Sequence, residues 1–154
     1  MFQINEIITV LPYSVPEKEK SLLFDKALKS LTDHHYQNCS EYKSILDTLN
    51  YNRNASSSYT QFPFLPVRLF KDYKLFSINE EKIFKTLNSS GTSGQDYSKI
   101  YLDKENASLQ TKVLTKIVST VLGNKRLPML IIDSKSTVKD RNLFTARGAG
   151  IIGF

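Results

Sequence analysis

Residues 82–102 read KIFKTLNSSGTSGQDYSKIYL, and the fold is decided here. Lys82 to Leu87 mixes charge and bulk in the manner of a short strand, Ser89 to Ser98 is a loop of serine, glycine and threonine, and Ile100 to Leu102 forms a returning strand. A long helix starts at Asp103 or Ser108 and turns Leu109, Val113, Leu114, Ile117, Val118, Val121 and Leu122 onto one buried face. Gly123-Asn124 is a suitable C-terminal cap for it. Pro128-Met129-Leu130-Ile131-Ile132-Asp133 is a continuous apolar run closed by an acid, the pattern of a buried parallel strand. Strand, loop, strand, helix, strand is the opening of an α/β domain.

Upstream of this stretch the periodicity is helical. Ile4, Ile7, Ile8 and Leu11 stop at Pro12. A second helix begins after Pro16, with Glu17 and Glu19 well placed for the positive end of its dipole and a stripe of Leu23, Phe24, Ala27, Leu28 and Leu31. A third runs from Ser40, a plausible cap, with Tyr42, Ile45, Leu46 and Leu49 on one face. After a polar loop over 50–61, the two prolines in Phe62-Pro63-Phe64-Leu65-Pro66-Val67 exclude a helix interior, so this segment reads as an extended, buried connector. The expected organisation is a helical segment over 1–61, a connector over 62–75, and the start of an α/β domain over 76–154.

Composition narrows the function classes. The 154 residues suffice for one compact core, and 40% hydrophobic with 23% charged residues is the balance of an ordered globular chain. The net charge of +6 suits an anionic ligand, but the basic residues do not cluster, so nucleic acid is not the expected partner. The single cysteine, Cys39, excludes an intrachain disulfide and fits a reducing cytoplasm. Met1 to Val10 lacks the features of a secretory signal, and no apolar run is long enough to span a membrane. His34, His35 and Cys39 lie within six positions, yet a zinc site needs a further pair, and the sequence has no other His or Cys. They read as packing residues, with no metal expected there. His35 one turn before Cys39 is the alternative base for a thiol nucleophile.

The chemistry-bearing string is Asn88-Ser89-Ser90-Gly91-Thr92-Ser93-Gly94, followed by Ser98-Lys99-Ile100. Two glycines free the backbone so that successive N–H groups can converge on one point, four hydroxyls add donors, and a lysine five residues on can neutralise an oxyanion. No Gly-Lys-Ser/Thr closes the loop, so it is not a Walker motif. From composition alone a surface turn accounts for it more simply. Asp133 at the end of its apolar run reads as a helix cap or a functional acid, and Arg147 as a surface residue or an anion contact.

Ser89 to Gly94, preceded by a strand and followed by a lysine, is similar to the phosphate-binding loop of adenylate-forming enzymes. Their usual continuation is Gly-x-Pro-Lys, where this chain has Gly94-Gln95-Asp96-Tyr97-Ser98-Lys99. A narrower resemblance, over His34 to Phe154, is to the LuxE-type acyl-protein synthetases of bacterial luminescence operons. It rests on this loop, on His34-His35-Tyr36-Gln37-Asn38-Cys39 with Glu41-Tyr42, on Phe62-Pro63-Phe64-Leu65-Pro66-Val67, and on Ala146-Arg147-Gly148-Ala149-Gly150-Ile151-Ile152-Gly153-Phe154. The resemblance implies an N-terminal helical segment followed by the beginning of an adenylate-forming domain. It also implies ATP and Mg²⁺, a fatty acid or other carboxylic acid as substrate, and an acyl-acceptor or acyl-reductase protein as partner. Ser89, Ser90, Gly91, Thr92, Ser93 and Gly94 would hold the phosphates, and Lys99 would assist catalysis.

The apolar ending at Gly153-Phe154 gives the expectation of a chain that stops in mid-domain and is inactive alone. Activation of an aryl or amino acid and a non-catalytic docking module are the alternative readings.

Overall fold

The computed structural model describes residues 4–54, 58–89, 97–125, 127–133 and 151. The architecture is mixed and helix-rich with one small sheet: α1 (Ile4–Thr9), α2 (Glu17–Asn38), α3 (Ser40–Thr48), α4 (Leu69–Asp72), β1 (Lys85–Asn88), β2 (Lys99–Leu102) and α5 (Lys104–Leu122). The chain divides into two compact units, Met1–Pro66 with Tyr73–Ser77, and Val67–Asp72 with Ile78–Phe154.

The first unit is built on α2 and α3. Pro16 lies just before α2, where its missing N–H costs nothing, and Glu17 and Glu19 occupy the first turn. Cys39 alone separates the two helices: its extended backbone (φ −133°, ψ 108°) ends α2 and caps α3. Ser40 is therefore the first residue of α3 and not its cap, and its hydroxyl donates to Glu41 Oε2 at 2.8 Å. The far end of α3 closes as a Schellman motif. Tyr51 N–H donates to Leu46 O and Asn50 N–H to Asp47 O, both at 3.1 Å, while Asn50 takes the left-handed conformation at φ +50°. Leu46, 1% exposed, is the most enclosed side chain among the described residues. Tyr36 ties the unit together: its hydroxyl donates to Asp47 Oδ1 at 2.8 Å, and the Arg53 guanidinium lies 3.7 Å from its ring centroid.

In the second unit β1 and β2 form an antiparallel pair with Lys85 opposite Leu102, Thr86 opposite Tyr101, Leu87 opposite Ile100 and Asn88 opposite Lys99. A connection this short permits only the antiparallel arrangement. Asp103 follows β2 directly and starts α5, its Oδ1 accepting from Asn106 N–H at 2.7 Å. The helix stops at Gly123, whose φ of +75° is one that side-chain-bearing residues avoid. Leu102 and Leu109 are buried.

Three sequence expectations are corrected. Residues 128–133 form no strand, and Leu130 and Ile132 are 87% and 92% exposed. Apolar composition supplies the capacity for burial, but a strand needs a pairing edge, and among the described residues β1 and β2 pair only with each other. The apolar face of α5 is buried at Leu109 and half-buried at Val113, Ile117 and Val118, whereas Leu114, Val121 and Leu122 are exposed. The connector is extended where its prolines dictate, but Phe64 and Val67 are exposed, and the chain turns into α4 at Leu69.

Leu46→Ala is expected to lower the unfolding free energy by about 2–5 kcal/mol, since both transfer and cavity terms apply. Val121→Ala, at a site 81% exposed, should fall within about 0.5 kcal/mol of the parent. Chemical denaturation of the two variants checks this. Equal losses would show that Val121 is covered in solution or that Leu46 is not enclosed.

Candidate functional site

The hydroxyl-rich loop leaves the sheet at Asn88 and returns at Lys99. Its neck is clasped by a serine at each side. Ser89 N–H donates to Ser98 O at 3.0 Å, and Ser98 N–H donates to Ser89 Oγ at 3.1 Å. Ser98 is buried, and its hydroxyl donates a long bond of 3.5 Å to Val67 O. The clasp continues the β1–β2 ladder by one pair, which holds the two ends of the loop at fixed separation. Ser89 thus has a structural role, since its hydroxyl oxygen already accepts one backbone hydrogen.

Lys99 is exposed at the start of β2. The register puts it on one face with Thr86, Asn88 and Tyr101, and puts Lys85, Leu87, Ile100 and Leu102 on the other. Asn88 is half-buried, and its Oδ1 has no hydrogen-bond partner among the described residues. Ser90, Gly91, Thr92, Ser93 and Gly94 lie outside the described residues, as does Arg147. Asp133 is exposed in the irregular segment after α5, so it does not end a strand.

Sequence reasoning passed over the Ser89–Ser98 clasp and the orphan oxygen of Asn88. The signal for the first was available, because equidistant serines at the two mouths of a hairpin loop can pair side chain to backbone. Nothing in the sequence marks the second.

His35 makes packing and hydrogen-bond contacts in the first unit. Its Nδ1 shares a hydrogen bond of 2.7 Å with Ser77 Oγ, and its ring meets Tyr42 edge-on with centroids 5.9 Å apart. Burial, and then the charge of His34, hold the His35 pKa below the ordinary imidazole value. Cys39 is buried, and its Sγ approaches Glu41 Oε2 at 3.7 Å. His35 is engaged with Ser77, and no bond joins its ring to the thiol among the described contacts. Among the described residues no group of three or more His, Cys, Asp or Glu could hold a metal ion.

Residues 3–150 match the protein family described as "Acyl-protein synthetase, LuxE". The chain belongs to the LuxE acyl-protein synthetase family. A long-chain-fatty-acid–luciferin-component ligase from Photorhabdus luminescens is 31% identical over 85 residues, which cover 55% of this chain and 69% of that protein. No solved structure matches the chain. Membership of the LuxE family supports acyl-protein synthetase activity in general terms. No helix among the described residues is long and apolar enough to cross a membrane.

The lowered His35 pKa fixes the sign of a pH effect. The unfolded chain takes up the proton near pH 6.5, whereas the folded chain does so only at lower pH. His35 therefore supports stability above that value, and its contribution is lost as pH falls through the folded pKa. Denaturation between pH 7 and 5.5 should show stability falling with acid, and His35→Gln should flatten that slope. A slope unchanged in the variant would place the titration elsewhere.

Proposed function

We propose that this chain carries the phosphate-binding loop of an ATP-dependent ligase that activates a fatty acid as its acyl-adenylate and passes the acyl group to a protein thiol. Two things support the reading: membership of the LuxE family, and a glycine- and hydroxyl-rich loop whose ends are clasped on a hairpin beside a lysine. The choice of a fatty acid over an aryl or amino acid follows the name of the Photorhabdus relative.

On this reading a carboxylate oxygen attacks the α-phosphorus of ATP. The new acyl–phosphate bond forms as the α–β bridging bond breaks, and pyrophosphate leaves. A thiolate then attacks the acyl carbon, forms a thioester and releases AMP. Backbone N–H groups and hydroxyls of Ser90, Gly91, Thr92, Ser93 and Gly94 cradle the β- and γ-phosphates, Ser89 contributes only its hydroxyl hydrogen because its N–H is taken by Ser98 O, and Lys99 offsets the charge that builds on the leaving pyrophosphate. Its place two residues later than the related motif preserves side-chain parity on a strand. Mg²⁺ neutralises phosphate charge in such reactions and is held largely by the triphosphate itself. The described residues contain no metal-holding cluster, so no residue is assigned to it. The same reading has the enzyme work in the cytoplasm and serve an acyl-acceptor or acyl-reductase protein, with residues 76–154 belonging to the adenylating domain.

The test is made in the whole protein. Gly91→Val should cripple fatty-acid-dependent ATP–pyrophosphate exchange while leaving the melting temperature near that of the parent. Thr92→Ala should weaken ATP binding by about 1–2 kcal/mol, the scale of one hydrogen bond to a charged group. Unchanged ATP affinity in both variants would reduce the loop to a surface turn.

A further inference from the structure

Asn88 Oδ1 is a buried side-chain oxygen with no hydrogen-bond partner among the described residues. Native proteins rarely leave such an atom unpaired, and where they do an unfilled functional contact is one explanation. Its position is informative. Asn88 is the last residue of β1 and faces Lys99, the first residue of β2, across the ladder.

The pairing pattern brings these two side chains together. Ser89 N–H donates to Ser98 O at 3.0 Å, so 89/98 is a hydrogen-bonded pair. Such pairs alternate with non-hydrogen-bonded ones along an antiparallel ladder. The 88/99 pair is then of the second kind, with Cα atoms about 4.5 Å apart and side chains at their closest. An ammonium has three hydrogens to donate and no acceptor, whereas an amide oxygen can only accept. Lys99 is exposed in the free protein and makes no bond to Asn88 Oδ1.

We infer that Asn88 is a positioning residue for Lys99: when a nucleotide phosphate sits at the loop, the Lys99 ammonium donates one hydrogen to Asn88 Oδ1 and directs its remaining hydrogens at phosphate oxygens. This rests on the phosphate-loop reading above. Without an anion the lysine stays hydrated, because bringing its charge to a partly buried amide oxygen costs more solvation than one hydrogen bond returns. With the anion present the charge is offset, and the Asn88 oxygen gains a partner that the described residues do not supply. Asn88 would then convert a hydrated surface lysine into one aimed along the strand face.

The test is a double-mutant cycle in the whole protein, reading ATP dissociation constants and pyrophosphate-exchange rates for Asn88→Ala, Lys99→Met and the double variant. Each single change is expected to lose roughly ten- to hundredfold, the scale of a charged hydrogen bond, and the double variant no more than Lys99→Met alone. The melting temperature of ATP-free Asn88→Ala should be unchanged or higher, because an unpaired buried oxygen has been removed. Asn88→Asp keeps an acceptor in place and should retain the dependence on Lys99. Losses that multiply in the double variant, or normal ATP binding by Asn88→Ala beside a crippled Gly91→Val, would overturn the positioning role alone. Normal ATP binding by Gly91→Val and Lys99→Met together would overturn the phosphate loop and this role with it.

Discussion

The register of the β1–β2 ladder is the constraint on which the second unit depends. Side chains alternate faces along a strand, so a slip of one residue would expose Leu102 and turn Lys99 inward. It would also separate Ser89 from Ser98 and open the neck of the loop. The same register places Asp103 immediately beyond the ladder, where its carboxylate receives a free N–H from the first turn of α5. One set of backbone pairs thus fixes three things: the loop mouth, the face that carries Lys99, and the starting point of α5.

The first unit achieves comparable definition by similar means. Cys39, Leu46, Leu102 and Leu109 are the buried apolar residues of the two units among those described, which is little apolar area for the number of elements held. Chain ends are specified instead by directed bonds: the extended break at Cys39, the left-handed Asn50, and the ring of Tyr36 between Arg53 and Asp47. The first two fix where a helix stops and which way the chain leaves, and the third ties α2 to α3 and to the loop after it. Hydrogen bonds of this kind add only about 1 kcal/mol of net stability apiece, but an unmade one costs more, so they select among compact alternatives.

That division explains what could be read in the sequence. Helix positions were legible because their signals are local: Pro16 with Glu17 and Glu19, Asp103 before α5, and Gly123 after it each act on the backbone within one turn. The hairpin was legible for the same reason. Burial was not. Leu130, Ile132 and Val121 have the composition of core residues, yet composition states only what burial would yield and never names the surface that provides it. Phe64 fails likewise, since its flanking prolines fix an extended backbone and leave the destination of the ring open. At the candidate site, Ser89 and Lys99 were singled out from residue type, whereas the closeness of Asn88 to Lys99 depends on which pairs in the ladder are hydrogen-bonded. That phase appears only once the Ser89–Ser98 bond is known.

The distribution of charge bears on how an anion would be held. A net charge of +6 spread over the surface raises the rate of encounter with a polyanion, but screening over about 8–10 Å leaves little of it at any one spot. On the proposed reading, the dipoles of backbone N–H groups and hydroxyls would do most of the binding, since they need no counter-charge. Lys99 then serves as a single full charge placed where negative charge increases during reaction. A hydrated surface lysine would serve poorly, because water already screens it. A lysine drawn against an amide oxygen is partly dehydrated and directionally fixed, and its interaction with a developing oxyanion strengthens accordingly. On that reading, the orphan oxygen of Asn88 would distinguish a lysine placed for electrostatic catalysis from one that merely starts a strand.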